Sequence, residues 1–372
     1  MSVIPGSPDQ LSDEWLTSAL HEGGALHQAS VTAHNMELAE TQGAAAVVAR
    51  VQLEYDRPEP GAPRSLVAKF ASPYEPIRVL MHVFGGYLRE VEFYRHFGAD
   101  PGISTPHCFH AEIDAASGVF VLLLEDLSAA RVADPASPSV EDTDLAVRHL
   151  AAFHAKWWNH ARLRDLTFLR YPGGPADQIF IAQGRAALAA ALPVVAERFG
   201  RAFPRTLVIL AERMLANLDG AADTRRQVIE GGVTLVHGDF HPGQLFFPSE
   251  RGGRFAVFDW QTVSAGSGGD DLARIIVTAL TTEQRDASDM RLIELYHSLL
   301  LEHGVTGYGI ERCREGFRQG LLMNAVINVI AAANIDPDLD SAGLSTTEIT
   351  DIFFGRAAAA IEAHGVLDDM PA

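Results

Sequence analysis

The stretch Leu235-Val236-His237-Gly238-Asp239-Phe240-His241-Pro242-Gly243-Gln244-Leu245-Phe246-Phe247, with Phe255-Ala256-Val257-Phe258-Asp259-Trp260-Gln261 soon after it, decides the reading of this chain. Two aspartates, Asp239 and Asp259, stand twenty residues apart, each beside a short apolar run that reads as a strand. Asp239 lies in a loop punctuated by Gly238, Pro242 and Gly243, and Asp259 at a strand end. Phosphoryl transfer from a metal-bound nucleotide needs such a pair. One carboxylate receives the proton of an attacking hydroxyl, and another holds Mg²⁺ against the triphosphate.

The remaining composition narrows the class. At 372 residues the chain exceeds what one small core organises, so two domains are expected. Its 21% of charged residues is that of an ordinary globular protein. A formal charge of −19 speaks against nucleic acid or an anionic membrane as partner, because neutralising phosphates takes clustered Lys and Arg. An acidic surface tolerates a cationic substrate, but it serves solubility first. Cys108 and Cys313 are the only cysteines and lack any ligand spacing, so a reducing cytoplasm is expected rather than a disulfide scaffold or structural zinc. Met1 to Asp9 has no basic region followed by an apolar core, and no signal peptide is expected. The longest apolar run, Leu321 to Ala333, is broken by Asn324 and Asn328 and too short to span a bilayer. A buried helix is expected there.

Along the chain, Ser12 with Asp13 and Glu14 opens a first helix carrying Trp15, Leu16 and Leu20. Strands follow at Ala45 to Tyr55, where Val51, Leu53 and Tyr55 share a face, and at Ser65 to Phe70, which carries Lys69 among apolar neighbours. Asp56 to Arg64 between them reads as a loop. One helix is expected from Arg78 to Phe97, then two strands near Thr105 to Ile113 and Val119 to Leu124 around an Asp114 to Gly118 turn. Asp126 to Asp142 reads as a linker. Beyond it helical patterns dominate, beginning with Leu145, His149, Ala152, Phe153, Lys156 and Trp157 at three- and four-residue steps. Later helices are expected at Leu292 to His303, Arg312 to Ala333 and Ile349 to His364. The opening stretch is a β island among them.

Four segments now fall in one order: Lys69, then Glu90-Val91-Glu92-Phe93-Tyr94, then Leu122-Leu123-Leu124-Glu125-Asp126-Leu127, then the Asp239 and Asp259 block. In that order they resemble the aminoglycoside phosphotransferase and choline kinase superfamily of the protein-kinase-like fold, nearest its bacterial ecdysteroid-kinase-like branch. The resemblance covers nearly the whole chain. It implies an α+β, two-lobed fold. Residues 1–127 would form a nucleotide-binding lobe of antiparallel sheet plus one long helix. Residues 128–372 would form a larger, mainly α-helical catalytic and substrate-binding lobe.

The resemblance also implies roles. Asp239 would be the catalytic base, with His237 bracing its loop and His241 touching substrate or serving structure. Asp259 would chelate Mg²⁺ bridging the β- and γ-phosphates of ATP, since a hard cation selects carboxylate oxygens. Lys69, costly to bury unpaired, would pair with Glu90 rather than Glu92 and reach the α- and β-phosphates. Gly43, in Thr41-Gln42-Gly43-Ala44-Ala45-Ala46, would lie against phosphate, where small residues permit close backbone approach. Glu125 and Leu127 would offer main-chain groups to the adenine edge. Asp271 would cap a helix and brace the catalytic loop. The acceptor would be a small molecule bearing a hydroxyl. Ala161 to Arg226, with Phe168, Tyr171, Phe180 and Ile181, leans towards a hydrophobic alcohol rather than a polycation.

Gln244 departs from the pattern, because relatives carry Asn there as a metal ligand. Its amide oxygen sits on a stem one carbon longer, about 1.5 Å of reach. A tolerated ligand, an altered metal site and an inactive nucleotide-binding relative all accommodate it. The rivals to a kinase are therefore a pseudokinase without turnover and a metallohydrolase using His237, Asp239 and His241 as ligands, the latter disfavoured by Pro242-Gly243. Trp157 and Trp158 read as core before they read as a stacking platform.

Overall fold

The computed structural model describes residues 3–39, 45–133, 139–200, 203–217, 227, 230–334, 350–368 and 370. Two compact units form: Met1–Arg131 with Phe246–Thr262, and Val132–Leu245 with Val263–Ala372. The expected division into 1–127 and 128–372 differs from these units at residues 128–131 and at Phe246–Thr262, both of which pack with the first unit. Gly43 lies outside the described residues.

In the first unit, α1 (Asp13–Glu22) starts at Ser12, whose hydroxyl accepts from the Trp15 amide. Strands β1 (Val31–Leu38), β2 (Ala46–Tyr55), β3 (Ser65–Ala71), β4 (Cys108–Ile113) and β5 (Phe120–Glu125) form one antiparallel sheet in the order β1-β2-β3-β5-β4. Successive side chains on a strand point to opposite faces. Leu66, Ala68 and Phe70 therefore share one face, buried with Val51, Leu53, Val121 and Leu123 against Trp15, Leu16, Ala19 and Leu20. Lys69, between Ala68 and Phe70, is left to the other face. Asp114 to Gly118 makes the expected turn: Ser117 Oγ donates to Asp114 at 2.6 Å, and Gly118 adopts φ 75°.

The single helix expected from Arg78 to Phe97 is two, α2 (Glu75–Val83) and α3 (Gly86–Phe97). Gly85 between them has φ 69°, a left-handed backbone that interrupts the helix and that glycine adopts without a Cβ clash. On the Lys69 side of the sheet, Tyr87 of α3 stacks on Phe120, ring centroids 4.7 Å apart.

The later strands are short: β6 (Arg131–Val132), β7 (Thr234–Val236), β8 (Leu245–Phe247), β9 (Ala256–Val257) and β10 (Ser264–Gly266). β6, β8 and β9 pair in that order, and β7 pairs antiparallel with β10. Three contacts tie Phe246–Thr262 into the first unit. The Val257 amide donates to Ser104 C=O at 2.8 Å. Trp260 stacks on Phe93 with centroids 3.8 Å apart. Arg254 forks onto Glu125 at 2.7 and 2.9 Å.

The second unit contains α4 (Val140–Trp157), α5 (Arg162–Asp165), α6 (Pro175–Phe199), α7 (Arg205–Ala216), α8 (Gly268–Ala279), α9 (Thr282–Glu302), α10 (Ile310–Asn334) and α11 (Arg356–Ala363). α4 packs against α8, α9 and β7, so its buried stripe is wide: Ala146, Val147, Leu150, Ala151, Phe153, His154 and Trp157. The expected face shares Phe153 and Trp157 with it and is otherwise rotated, leaving Leu145 and His149 half-buried. Trp157 is core, and Trp158 packs edge-on to Tyr308 at 4.8 Å.

α8 is buried along its length, with Asp270 half-buried. It crosses α10 backbone to backbone: a Cβ on Gly269 would stand 2.2 Å from the Gly316 carbonyl oxygen, and one on Gly320 2.2 Å from that of Gly269. Gly316, Gly320, Asn324 and Asn328 follow at four-residue steps and so line one face of α10. The polar interruptions of the Leu321 to Ala333 run are thus turned towards α8, within the expected buried helix. α6 is long and apolar enough by length and composition to cross a bilayer, with mean hydropathy 1.7 over a window 17% buried. A single such helix is weak evidence for that, and buried Asp177, bonded to Arg170 and the Gly173 amide, fixes its start within the protein.

Candidate active site

The loop that carries Asp239 is built between β7 and β8, inside the second unit up to Leu245. Gly238 turns the chain out of β7 with φ 84°, and fully buried Phe240 anchors it. Asp271, on α8 and wholly buried, accepts from the His237 amide at 2.7 Å and the Gly238 amide at 2.8 Å. It does not cap α8; Ser267 does, accepting from the Gly269 amide. One turn into the helix, the Asp271 carboxylate is free of the helix's own amides and binds the loop instead. Behind it stands His154, with Nε2 3.3 Å from Asp271 and Nδ1 2.7 Å from the Tyr296 hydroxyl. Burial pushes the Tyr296 phenol well above its ordinary pKa, so it stays a donor. His154 then accepts at Nδ1 and donates from Nε2 to the carboxylate.

This scaffold presents Asp239, whose side chain keeps 30% exposure. Its own amide donates to His237 Nδ1 at 3.2 Å, so His237 braces the loop. His241 Nδ1 accepts from the Gly243 amide at 3.1 Å, which caps the 3₁₀ turn Pro242–Gln244 and leaves Nε2 3.5 Å from Asp239 Oδ2. Both histidines are thereby committed to the loop. Among the described residues no group of three or more His, Cys, Asp or Glu is placed to hold a metal. Arg274, one turn beyond Asp271 on α8, contacts Asp239 Oδ1 through Nε at 3.1 Å and Nη2 at 2.9 Å. Burial tends to raise the Asp239 pKa. Contacts with His241, Arg274 and His237 outweigh it and hold the carboxyl well below the usual range. Gln244 ends the 3₁₀ turn, its amide donating to His241 C=O at 2.9 Å.

The first unit carries a second cluster. Lys69 Nζ lies 2.8 Å from Glu90 of α3 and 2.9 Å from Asp259 Oδ1. Lys69 and Glu90 are buried, while the Asp259 side chain keeps 26% exposure. Asp259 has φ 63°, a left-handed conformation that Asp tolerates better than most residues. Glu92, the competing choice, instead meets Arg95 and His96 on the helix surface. Burial disfavours the Lys69 ammonium, but Asp259 and Glu90 more than offset this and hold it charged. Burial, opposed by Lys69 and aided by Asp259, pushes the Glu90 pKa up, and one ammonium facing two carboxylates leaves a surplus negative charge. A hard cation at the exposed edge of Asp259 would neutralise that surplus, so the donor set fits Mg²⁺.

Glu125 and Leu127 stand apart from the Lys69 cluster's hydrogen bonds. The Glu125 amide donates to His107 C=O at 2.8 Å, and its side chain is taken by Arg254, while Leu127 C=O accepts from Ala130. Sequence reasoning overlooked Arg274, His154 and Tyr296. The i,i+3 spacing of Asp271 and Arg274 on an otherwise apolar helix was the available signal for the first. A further signal lay in composition: Lys69 and Lys156 are the only lysines beside 27 arginines.

The arrangement is that of the protein-kinase-like fold, with an antiparallel sheet carrying Lys69 and a helical unit carrying the Asp239 loop. The sequence profile of the ecdysteroid kinase-like family matches residues 40–305, and the chain belongs to that family. Solved structures share the fold. A Ralstonia eutropha JMP134 protein assigned to the aminoglycoside phosphotransferases is 15% identical, with TM-score 0.52 over 97% of this chain and 99% of that one. Choline kinase from Cryptosporidium parvum Iowa II is 9% identical, with TM-score 0.57 over 96% of this chain and 98% of its own. No curated protein matches significantly in sequence.

Proposed function

We propose that this protein is an ATP- and Mg²⁺-dependent phosphotransferase that moves the γ-phosphoryl group of ATP to the hydroxyl of a small molecule. The observation that carries this reading is Lys69 held between Glu90 and Asp259 at 2.8 and 2.9 Å. A buried ammonium fixed in this way is suited to the α- and β-phosphates. Asp259 and Gln244 would hold Mg²⁺, which when bound offsets charge on the phosphates. Glu125 and Leu127 would offer main-chain groups to the adenine.

Asp239 orients the acceptor hydroxyl. Its depressed pKa makes it a weak base towards a free alcohol, so proton transfer follows rather than precedes phosphoryl transfer. As the acceptor oxygen bonds to the γ-phosphorus and the bond to the β,γ-bridging oxygen breaks, the hydroxyl becomes acidic and its proton passes to Asp239. Products are the phosphate ester and ADP. Asp271, His154 and Tyr296 keep the loop in register.

Gln244 in place of Asn supports a second reading, a nucleotide-binding relative without turnover. Mg-ATP is expected to raise the melting temperature of the natural protein, since a ligand selective for the native state stabilises it. Lys69→Met should abolish the rise. No rise with the natural protein, together with a zinc requirement for activity, would sink the phosphotransferase reading.

A further inference from the structure

In α8, Arg274 is nearly buried, 7% exposed, and its guanidinium is divided between two partners. Nε and Nη2 converge on Asp239 Oδ1 at 3.1 and 2.9 Å, while Nη1 donates to Asn328 Oδ1 at 2.9 Å. Asn328 is itself buried and reaches Arg274 because the Gly269, Gly316 and Gly320 crossing brings α10 against α8. Asn324, one turn earlier, donates to the carbonyls of Asp270 and Gly320 at 3.2 and 2.8 Å and locks the same register. The groove of one helix thus aims a fixed cation at the catalytic carboxylate. Only Oδ2, on the His241 side, is left towards an acceptor hydroxyl.

We propose that Arg274, held by Asn328, is a specificity-determining residue that restricts the acceptor to alcohols carrying no cationic group. The proposal rests on the phosphotransferase reading of Asp239. An acceptor site for an amino alcohol benefits from an unneutralised carboxylate beside the hydroxyl. Here the Asp239 charge is already matched by a desolvated guanidinium. An amino alcohol has its nitrogen two carbons from the hydroxyl, so binding at Asp239 brings that cation to on the order of 5 Å from Arg274. Like charges at such distance in a partly dry site repel strongly. A neutral alcohol meets no such opposition.

The test measures Mg-ATP turnover with two matched pairs of acceptors: choline against its carbon isostere 3,3-dimethylbutan-1-ol, and ethanolamine against ethylene glycol. The natural protein, Arg274→Gln, Arg274→Lys and Asn328→Ala are compared, with Asp239→Asn as the baseline. The natural protein is expected to favour the neutral member of each pair by tenfold or more in kcat/KM. Arg274→Gln should shrink that preference at least tenfold, Arg274→Lys should keep it, and Asn328→Ala should weaken it if Arg274→Gln does not fold. Equal or better use of the cationic member by the natural protein overturns the proposal while leaving the phosphotransferase reading intact. Turnover unaffected by Asp239→Asn, or none at all, overturns both. If only water serves as acceptor, the acid limb of Asp239-dependent ATP hydrolysis decides. Arg274→Gln removes the guanidinium and, among the described residues, leaves His241 and His237 beside Asp239, so the limb should move to higher pH in Arg274→Gln and stay in Arg274→Lys. An unmoved limb overturns the proposal.

Discussion

Replacing Asp271 by Asn keeps its shape and removes its charge at the point where α8 holds the Asp239 loop. One carboxylate oxygen takes the Gly238 amide at 2.8 Å; the other takes the His237 amide at 2.7 Å and His154 Nε2 at 3.3 Å. Asn has one acceptor oxygen. Turned towards His237 and His154, it leaves the Gly238 amide facing an NH₂ group; turned the other way, it strands two donors. The milder case loses one charge-assisted bond, leaves a partly buried donor unpaired and weakens the bonds that remain, roughly 2–4 kcal/mol in all. At about 1.4 kcal/mol per factor of ten, local opening of the loop becomes roughly 30- to 700-fold more frequent. Hydrogen exchange read by mass spectrometry on peptides spanning Thr234 to Leu245 reports this directly. Protection there should fall by that factor while peptides in β2 and β3 of the first unit stay unchanged. Protection within threefold of the natural protein would refute the claim that Asp271 carries the loop.

Tyr296→Phe leaves His154 Nδ1 a buried acceptor without its donor; urea denaturation should show a loss of about 1–3 kcal/mol, with loop protection falling less than in Asp271→Asn. Gln244→Asn should change the Mg²⁺ concentration for half-maximal turnover by roughly three- to tenfold, as expected for a ligand displaced by about 1.5 Å. Turnover present only in the Asn variant would instead identify the natural chain as a silent relative. Asp270 supplies the pH dependence. Burial, aided by the Asp271 carboxylate and opposed by Arg170, raises its pKa to about 7. The folded state therefore binds its proton more tightly than the unfolded state, and stability declines as pH rises from about 4 to about 7. Asp270→Asn should match the natural Tm at pH 4 and exceed it by on the order of a few °C at pH 8; equal Tm values at both pH values would contradict this.

Much of the frame was legible because local patterns and tertiary packing agree. Val51 and Leu53 alternate as a half-buried strand should, Ser12 caps where the sequence places it, and Glu90 rather than Glu92 faces Lys69 because α3 turns that side to the sheet. Asp239 stands in a loop that Gly238, Pro242 and Gly243 announced, and Asp259 follows the short strand its apolar run announced. What was not legible depends on contacts far apart in sequence. Gly85 breaks a helix whose apolar periodicity continues through it. Phe246–Thr262 joins the first unit because Trp260 finds Phe93 and Arg254 finds Glu125. Asp271 reads as a cap by position, yet the loop amides claim its carboxylate and Ser267 does the capping. Asn324 and Asn328 look like blemishes in an apolar run until the glycine crossing shows what they face. Such pairings are set by which helices touch, and no local window contains both partners.

The central claim is that Asp239 supports phosphoryl transfer from a nucleotide anchored elsewhere. The most direct measurement pairs calorimetric Mg-ATP binding with transfer of the labelled γ-phosphate into a pool of small alcohols, for the natural protein and Asp239→Asn. Mg-ATP affinities are expected within about threefold of each other, with at least a thousandfold loss of transfer in the variant. Undiminished transfer by Asp239→Asn, or failure of the natural protein to bind Mg-ATP, would contradict it.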